Sequence, residues 1–307
     1  MASLLALSGC GGHAVASATP ATTGCRSCPA GTSTVQLTVD GQRRVVVVHT
    51  PANPKTAPRP LVVDLHGSGS TAAGQEAFSG MDPVADRSGL VVAYPQGLIR
   101  SGTGFDWNIP GVPLFGGGSP PPGAASDLAF LTRLPAALQR SYCIDLHRVY
   151  ATGMSGGGRM ASQLGCDATG VYAAVAPVAG LRLPTPCPGH AEPVIAFHGT
   201  SDQIDPYAGN GQAYWTYSVP RAAQRWAAHD SCRGKSRAVA HSGYTVTGYE
   251  GCADHVAVEL YAVSGEGHEW PGGPQLPPRL SGVLGPRSGA INADTTMWQF
   301  FTSYRSS

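Results

Sequence analysis

A serine between glycines is the first feature of this sequence that could perform chemistry. Ser155 lies in the run Gly-Met-Ser-Gly-Gly at 153–157, which matches the G-x-S-x-G pattern of a serine nucleophile. In that pattern a tight turn between a strand and a helix raises the hydroxyl above the edge of a sheet. Because the chain contains 41 glycines, a chance match is not rare, and the flanking elements must support the assignment.

A catalytic serine also needs two partners. Its hydroxyl attacks a carbonyl carbon only when a base takes its proton and a carboxylate orients that base. Both partners should follow Ser155 in the chain, in loops after later strands. Asp202 and His268 each come just after a predicted strand, and Asp205 is the alternative acid. This order predicts that Ser155, Asp202 and His268 form a triad for acyl transfer.

Five other histidines are expected to serve structure rather than catalysis. His66 and His198 each stand directly before a glycine, where a ring nitrogen can hydrogen-bond the backbone of its loop. The remaining three, His229, His241 and His255, lie in or beside helical or polar hairpin segments.

Acyl transfer further requires N–H donors aimed at the oxyanion that forms on the carbonyl oxygen. The backbone N–H of Gly156 is one candidate, because it follows the nucleophile directly. The second donor should come from the His-Gly-Ser-Gly loop at 66–69, where Ser68 is the first choice and Gly67 the second.

The elements that must position these residues alternate between strands and helices. Alternating and β-branched runs on either side of Asp40-Gly41 predict an N-terminal β-hairpin. Further strands are predicted at 60–66, 90–94, 148–152, 173–178, 194–197 and 256–263, and helices at 75–87, 127–142, 157–164, 218–228 and 292–304. We expect Pro135 to kink or split its helix, and the Gly- and Pro-rich segment 101–125 to form a lid or binding loop. The alternation predicts an α/β class: one doubly wound, mostly parallel sheet in a single domain, 34–307.

Composition excludes several classes of partner. The chain has 307 residues, 20 Lys plus Arg against 19 Asp plus Glu, and 13% charged residues. A nucleic-acid binder, or a protein of anionic membrane surfaces, needs a clustered basic excess that is missing here. No apolar stretch is long enough to span a bilayer. We therefore expect a monomeric globule with a neutral surface.

The cysteines indicate an oxidising compartment. Eight are too many for most cytosolic proteins of this size, and we expect Cys232 to pair with Cys252 around a polar, hairpin-like excursion. Zinc is the alternative for Cys25 and Cys28, but they lack a second ligand pair at metal-ligand spacing. The sequence thus predicts neither a metal nor an organic cofactor.

The N-terminus partly supports export. A short apolar run ends in Leu-Ser-Gly-Cys at 7–10, which resembles a bacterial lipoprotein cleavage box with lipidation on Cys10. The run is short and has no Lys or Arg before it, so a truncated start is the alternative. Residues 11–33, rich in Ala, Gly, Ser and Thr, are expected to form a flexible tether.

Several blocks of sequence together resemble one family. They are Leu-His-Gly at 65–67, Phe-Asp-Trp-Asn at 105–108, residues 148–157, His-Gly-Thr-Ser-Asp at 198–202 and Gly-His-Glu-Trp-Pro-Gly at 267–272. Over 34–305 the chain resembles the extracellular polyhydroxybutyrate depolymerase and feruloyl esterase family, which includes bacterial lipoproteins. The resemblance implies an α/β-hydrolase fold with Ser155 as nucleophile, Asp202 as acid and His268 as base.

Two departures from the family bear on substrate choice. The segment 125–128 lacks the usual paired acids, and Pro135 is atypical inside its helix. Trp107 and Trp270 are candidates for lining the substrate, with plain packing as the alternative. The sequence predicts a secreted or surface-anchored serine esterase, with short hydroxyalkanoate oligomers, feruloyl or acetyl esters, or other soluble esters as substrates that are as plausible as solid polymer. A non-catalytic surface lipoprotein that binds ligands on this fold, or a serine peptidase, are the alternatives.

Overall fold

A computed structural model describes residues 30–52, 57–275 and 277–306. The cleavage box at Cys10, most of the predicted tether, and Cys25 and Cys28 lie outside the described residues. The tether was predicted to extend to residue 33, but strand β1 already begins at Gly31.

Ten strands form one sheet in the order β1-β2-β4-β3-β7-β8-β9-β12-β11-β10. The six central strands, from β4 to β12, run parallel, and an antiparallel pair closes each edge. The strands are β1 (Gly31–Val39), β2 (Gln42–Thr50), β3 (Arg59–Leu65), β4 (Val91–Pro95), β7 (Ile144–Met154), β8 (Ala174–Val178), β9 (Val194–Gly199), β10 (Arg237–His241), β11 (Tyr244–Tyr249) and β12 (Val258–Val263). The predicted hairpin and mostly parallel sheet are confirmed.

Helices cover both faces of the sheet. They are α1 (Ala72–Ser79), α2 (Asp82–Ser88), α3 (Asp127–Tyr142), α4 (Gly156–Asp167), α5 (Val219–His229), α6 (Pro278–Leu284) and α7 (Ala293–Phe301). Successive side chains of a strand point to opposite faces, so Leu61 and Val63 pack in the core that α3, α4 and α5 cover. Val62 packs in the opposite core with α2 and α7. Burial on both faces explains why the parallel strands are continuous apolar runs.

One helix prediction was wrong, and of another, the kink or split at Pro135, the split was wrong. The predicted helix at 75–87 is two helices, because Gly80 takes a left-handed φ of 76° and ends α1 before α2 begins. Pro135 does not split α3. A proline cannot donate to the carbonyl four residues earlier, but here that carbonyl, Leu131 O, accepts a hydrogen bond from the Tyr172 hydroxyl at 2.8 Å. Tertiary contact therefore satisfies the group that the proline leaves unpaired.

The long loop and the cysteines add local structure. Within the Gly- and Pro-rich region, β5 (Ile99–Ser101) and β6 (Gly104–Asp106) form a short hairpin.

The predicted Cys232–Cys252 disulfide is present and brackets the β10–β11 hairpin. A second disulfide joins Cys166 to Cys187, and Cys143 is also disulfide-bonded. Across the described part of the chain, every helix is too short or too polar to cross a bilayer.

Candidate active site

The sheet places the three predicted catalytic residues at the carboxyl ends of its parallel strands. Ser155 directly follows β7, Asp202 lies just after β9, and His268 lies just after β12. These strands and β8 are neighbours and run parallel. Since the carboxyl ends of parallel strands lie on the same side of a sheet, the loops that carry the three residues meet there.

Ser155 occupies a strained turn. Its φ of 55° and ψ of −114° lie outside the regions that side-chain-bearing residues favour. A Cβ on Gly153 would lie 2.6 Å from Leu65 O, and a Cβ on Gly157 would lie 2.1 Å from the same atom. Only glycine fits these two positions, because β3 approaches the turn too closely for any side chain. Steric crowding thus explains why the motif has glycine at these positions. The Ser155 residue is 7% exposed.

His268 and Asp202 form a buried pair. The Nδ1 atom of His268 lies 2.7 Å from Oδ2 of Asp202. The other carboxylate oxygen, Oδ1, accepts the backbone N–H groups of Ile204 at 2.9 Å and Asp205 at 2.8 Å. Burial opposes ionisation, but hydrogen bonds from His198 and His268 outweigh it and hold the pKa of Asp202 below its usual range. An ionised Asp202 can fix the imidazole with Nδ1 protonated, which leaves Nε2 free to act as a base.

The alternative acid, Asp205, has a different partner. Its Oδ2 accepts from Nη1 of Arg159 at 2.8 Å, and both side chains are buried. The structure therefore brings Asp202, and not Asp205, against His268. Sequence reasoning missed Arg159, and it missed the contact between His198 and Asp202; the spacing of four residues in the His-Gly-Thr-Ser-Asp run was the available signal.

The two predicted oxyanion donors also lie together. Gly156 begins α4, and the first N–H groups of a helix have no partner within it. A Cβ on Gly156 would lie 2.5 Å from Ser68 Oγ and 3.1 Å from Ser68 N. Within the described residues the Ser68 N–H donates no hydrogen bond. Two backbone donors are thus adjacent to the serine turn, as an oxyanion hole requires.

His66 and Trp107 support the loop that carries Ser68. His66 Nε2 accepts the N–H of Gly97 at 3.0 Å, and burial lowers the pKa of His66 to about 4, so its ring is neutral at physiological pH. Trp107 stacks on this ring with centroids 4.6 Å apart and donates to His66 O at 2.7 Å. These contacts match the structural role expected for His66. Trp107 is buried, which agrees with the alternative that it is a packing residue. Its contact with substrate stays a prediction.

Trp270 is buried as well, with 1% of its surface exposed. Its Nε1 donates to Oδ1 of Asp294 at 2.8 Å. This bond ties the loop after His268 to helix α7. A role in lining substrate stays a prediction for Trp270 too.

Asp294 makes stability depend on pH. Burial, only partly offset by the Trp270 hydrogen bond, raises the pKa of Asp294 to about 7 from its ordinary 3.8. The folded state therefore favours the protonated form, so stability from this group is full below pH 4 and is lost as pH rises through 7. We expect the free energy of unfolding of the wild type, relative to Asp294→Asn, to fall by roughly 4 kcal/mol between pH 4 and pH 8. Urea unfolding at several pH values measures this difference, and a difference independent of pH would contradict it.

One group of side chains offers metal-ligating atoms. Atoms of His49, Glu76 and Asp82 all lie within 4.8 Å of one another, in the part of the chain that the structure describes. The three residues lie on β2, α1 and α2, and β4 and β3 separate β2 from β7. Both ring nitrogens of His49 already contact carboxylates, at 3.4 Å in Asp82 and 3.0 Å in Asp86. This cluster takes no part in the site around Ser155.

Comparisons with known proteins identify the family. No protein-family model matches the chain. NocK of Nocardia uniformis subsp. tsuyamanensis, named as an esterase, is 30% identical over 269 residues, covering 80% of this chain and 75% of that protein. Feruloyl esterase B of Piromyces equi is 27% identical over 68% of this chain. Poly(3-hydroxybutyrate) depolymerase of Ralstonia pickettii is 26% identical over 76% of this chain. The chain spans only 39% and 53% of the length of these last two relatives.

Solved structures show the same fold. Acetyl xylan esterase from Aspergillus awamori superposes with a TM-score of 0.59 at 16% identity, covering 87% of this chain and 98% of that one. An S-formylglutathione hydrolase from Agrobacterium tumefaciens superposes with a TM-score of 0.55 at 12% identity, covering 90% and 97%. The expected α/β-hydrolase fold is confirmed. The chain belongs to the family of carboxylic ester hydrolases that includes feruloyl esterases and poly(3-hydroxybutyrate) depolymerases.

Proposed function

We propose that this protein hydrolyses carboxylic esters through an acyl-enzyme on Ser155. The contact between His268 and Asp202, at the sheet edge where Ser155 ends its strand, is the observation that supports the proposal. An ionised carboxylate, an imidazole and a serine on a strained turn are the groups that nucleophilic ester cleavage requires.

The proposed reaction has two halves. Ser155 Oγ attacks the ester carbonyl carbon while Nε2 of His268 accepts the hydroxyl proton, and the N–H groups of Gly156 and Ser68 stabilise the oxyanion. The tetrahedral species collapses, the C–O bond to the alcohol breaks, and His268 gives its proton to the departing alkoxide. Water then attacks the acyl-serine by the same route, which releases the acid and restores Ser155.

Uncharged or weakly polar esters are the proposed substrate class. Relatives named for feruloyl esters, for acetyl xylan and for poly(3-hydroxybutyrate) share neutral ester linkages as the bond that is cleaved. Two large apolar side chains are exposed in the described structure, Phe115 at 51% and Val283 at 68%. Val283 neighbours Leu284, whose carbonyl accepts the N–H of His268 at 2.6 Å. An exposed apolar residue in the segment that contacts the backbone of His268 suits an apolar part of a substrate.

An extracytoplasmic compartment is part of the proposal. The disulfides Cys166–Cys187 and Cys232–Cys252 support it, because thiols of most cytosolic proteins are kept reduced. The lipid anchor expected on Cys10 stays a prediction, outside the described residues.

A fluorophosphonate probe tests the proposed nucleophile directly. Such a probe phosphonylates activated serines, so we expect one adduct on the peptide that contains Ser155, located by mass spectrometry, with loss of turnover of p-nitrophenyl acetate. A panel of feruloyl, acetyl-sugar and hydroxybutyrate esters then ranks the substrates. Turnover without an adduct at Ser155 would overturn the acyl-enzyme mechanism.

A further inference from the structure

Asp202 is in contact with two histidines rather than one. Oδ2 lies 2.7 Å from Nδ1 of His268 and 3.2 Å from Nε2 of His198, on strand β9. His198 and Asp202 are buried, with 1% and 2% of their surfaces exposed. One carboxylate oxygen is therefore shared between the base of the proposed triad and a second imidazole that the mechanism does not use.

The surroundings of His198 determine where its proton lies. Nε2 is 2.8 Å from the backbone carbonyl oxygen of Asp205, which can only accept, so Nε2 carries the hydrogen. Nδ1 is buried and, among the described residues, has no hydrogen-bond partner. A proton on Nδ1 would be buried without an acceptor, which is costly. His198 is therefore the Nε2–H tautomer, its N–H is directed at Asp205 O, and Asp202 Oδ2 lies 3.2 Å from the same nitrogen.

The turn after β9 holds this arrangement in place. The Asp205 N–H donates to Asp202 Oδ1 at 2.8 Å, while the Asp205 side chain pairs with Arg159 on α4, the helix that follows Ser155. The His198 ring also stacks on Trp215, with centroids 5.5 Å apart. His198 thus has a fixed orientation relative to Asp202.

We propose that His198 is a positioning residue that fixes Asp202 and limits the negative charge that this carboxylate presents to His268. The proposal rests on the proposed function, since it assigns His268 as base. The partial positive charge of an N–H group centred 3.2 Å from Oδ2 stabilises the negative charge on that oxygen. Without it, Asp202 would attract the protonated form of His268 more strongly, and the base would be lost to protonation at a higher pH.

Other charged groups near His268 must stay constant in the test. Glu266 and Glu269 flank it in the same loop, and Arg287, after α6, lies 3.9 Å from Glu269. Burial raises the pKa of Glu266 to about 7, so this group titrates in the range of interest. Asp205 contacts His198 through its backbone carbonyl, and its side chain pairs with Arg159. None of these residues is changed by a substitution at His198.

The test compares two substitutions at His198. His198→Leu removes the donor, whereas His198→Gln retains an N–H near the position of Nε2. We expect His198→Leu to lower kcat/KM for p-nitrophenyl butyrate about tenfold and to move the midpoint of its acid limb up by about half a pH unit or more. His198→Gln should restore most of the activity and return the limb toward its wild-type position.

A control separates these effects from a general loss of a buried imidazole. His49→Leu removes another buried histidine that contacts two carboxylates far from Ser155, and its acid limb should match the wild type. His198 would be only a packing residue if His198→Leu lowered kcat/KM without moving the acid limb of the pH profile and the kcat/KM of His198→Leu were no lower than that of His198→Gln. Wild-type activity in both variants would also overturn the proposal.

Nitrogen-15 NMR of the wild-type protein tests the proposal even where His198→Leu does not fold. The signals absent from His198→Gln identify His198, and at the pH of maximal activity they should show hydrogen on Nε2 and none on Nδ1. A protonated ring or an Nδ1–H form would overturn the proposal. Failure of the proposed function would look different, because the wild type would then lack turnover and probe labelling at Ser155.

Discussion

Replacing Ser155 with alanine is expected to lower kcat for p-nitrophenyl acetate by about four to six orders of magnitude. Without Oγ no acyl-enzyme can form, and the remaining rate comes from substrate binding and the oxyanion donors. Steady-state turnover and fluorophosphonate labelling, measured on the same preparation, check this result. Labelling of the peptide that contains position 155 should disappear.

The fold should survive this substitution. Alanine occupies the same strained turn as Ser155, and the serine N–H that donates to Val178 O at 2.9 Å is retained. Ser162→Ala is a matched control, because Ser162 is a buried serine on α4, the helix that follows Ser155, and among the described residues it bonds only to carbonyl oxygens and an N–H of the backbone. It should keep nearly all activity. If Ser155→Ala retained more than about 1% of wild-type kcat, Ser155 would not be the nucleophile.

Asp202→Asn is expected to lower kcat about ten-thousandfold with little change in KM. An amide in place of the carboxylate keeps the shape of the site but cannot stabilise the imidazolium that forms on His268, and it favours the wrong tautomer of the ring. The measurement is kcat and KM for p-nitrophenyl acetate across the range of pH in which the wild type is active.

Asp205→Asn is the matched control for the acid. Asp205 pairs with Arg159 rather than with His268, so its loss leaves a buried arginine without its carboxylate. We therefore expect lower stability in urea unfolding, by about 3 kcal/mol, and a fall in kcat far smaller than that of Asp202→Asn. The reverse ranking in kcat would show that Asp205 is the acid.

Local patterns predicted much of the fold. Continuous apolar runs indicated the parallel strands, and Asp40-Gly41 indicated the first hairpin, since both signals depend only on residues near one another in the chain. The break at Gly80 was missed because apolar residues continue on both sides of it. The split expected at Pro135 was wrong because the compensating donor, the Tyr172 hydroxyl, belongs to a distant segment.

The same distinction between local and long-range information applies to the candidate active site. The sequence by itself determined the candidates: the serine with its glycines, an acid and a histidine in that order, each after a strand. Only the tertiary structure decided that Asp202 rather than Asp205 contacts His268, that Ser68 lies against Gly156, and that His198 shares the carboxylate. These contacts join residues brought together by the order of strands in the sheet, and no local period of hydrophobicity encodes that order.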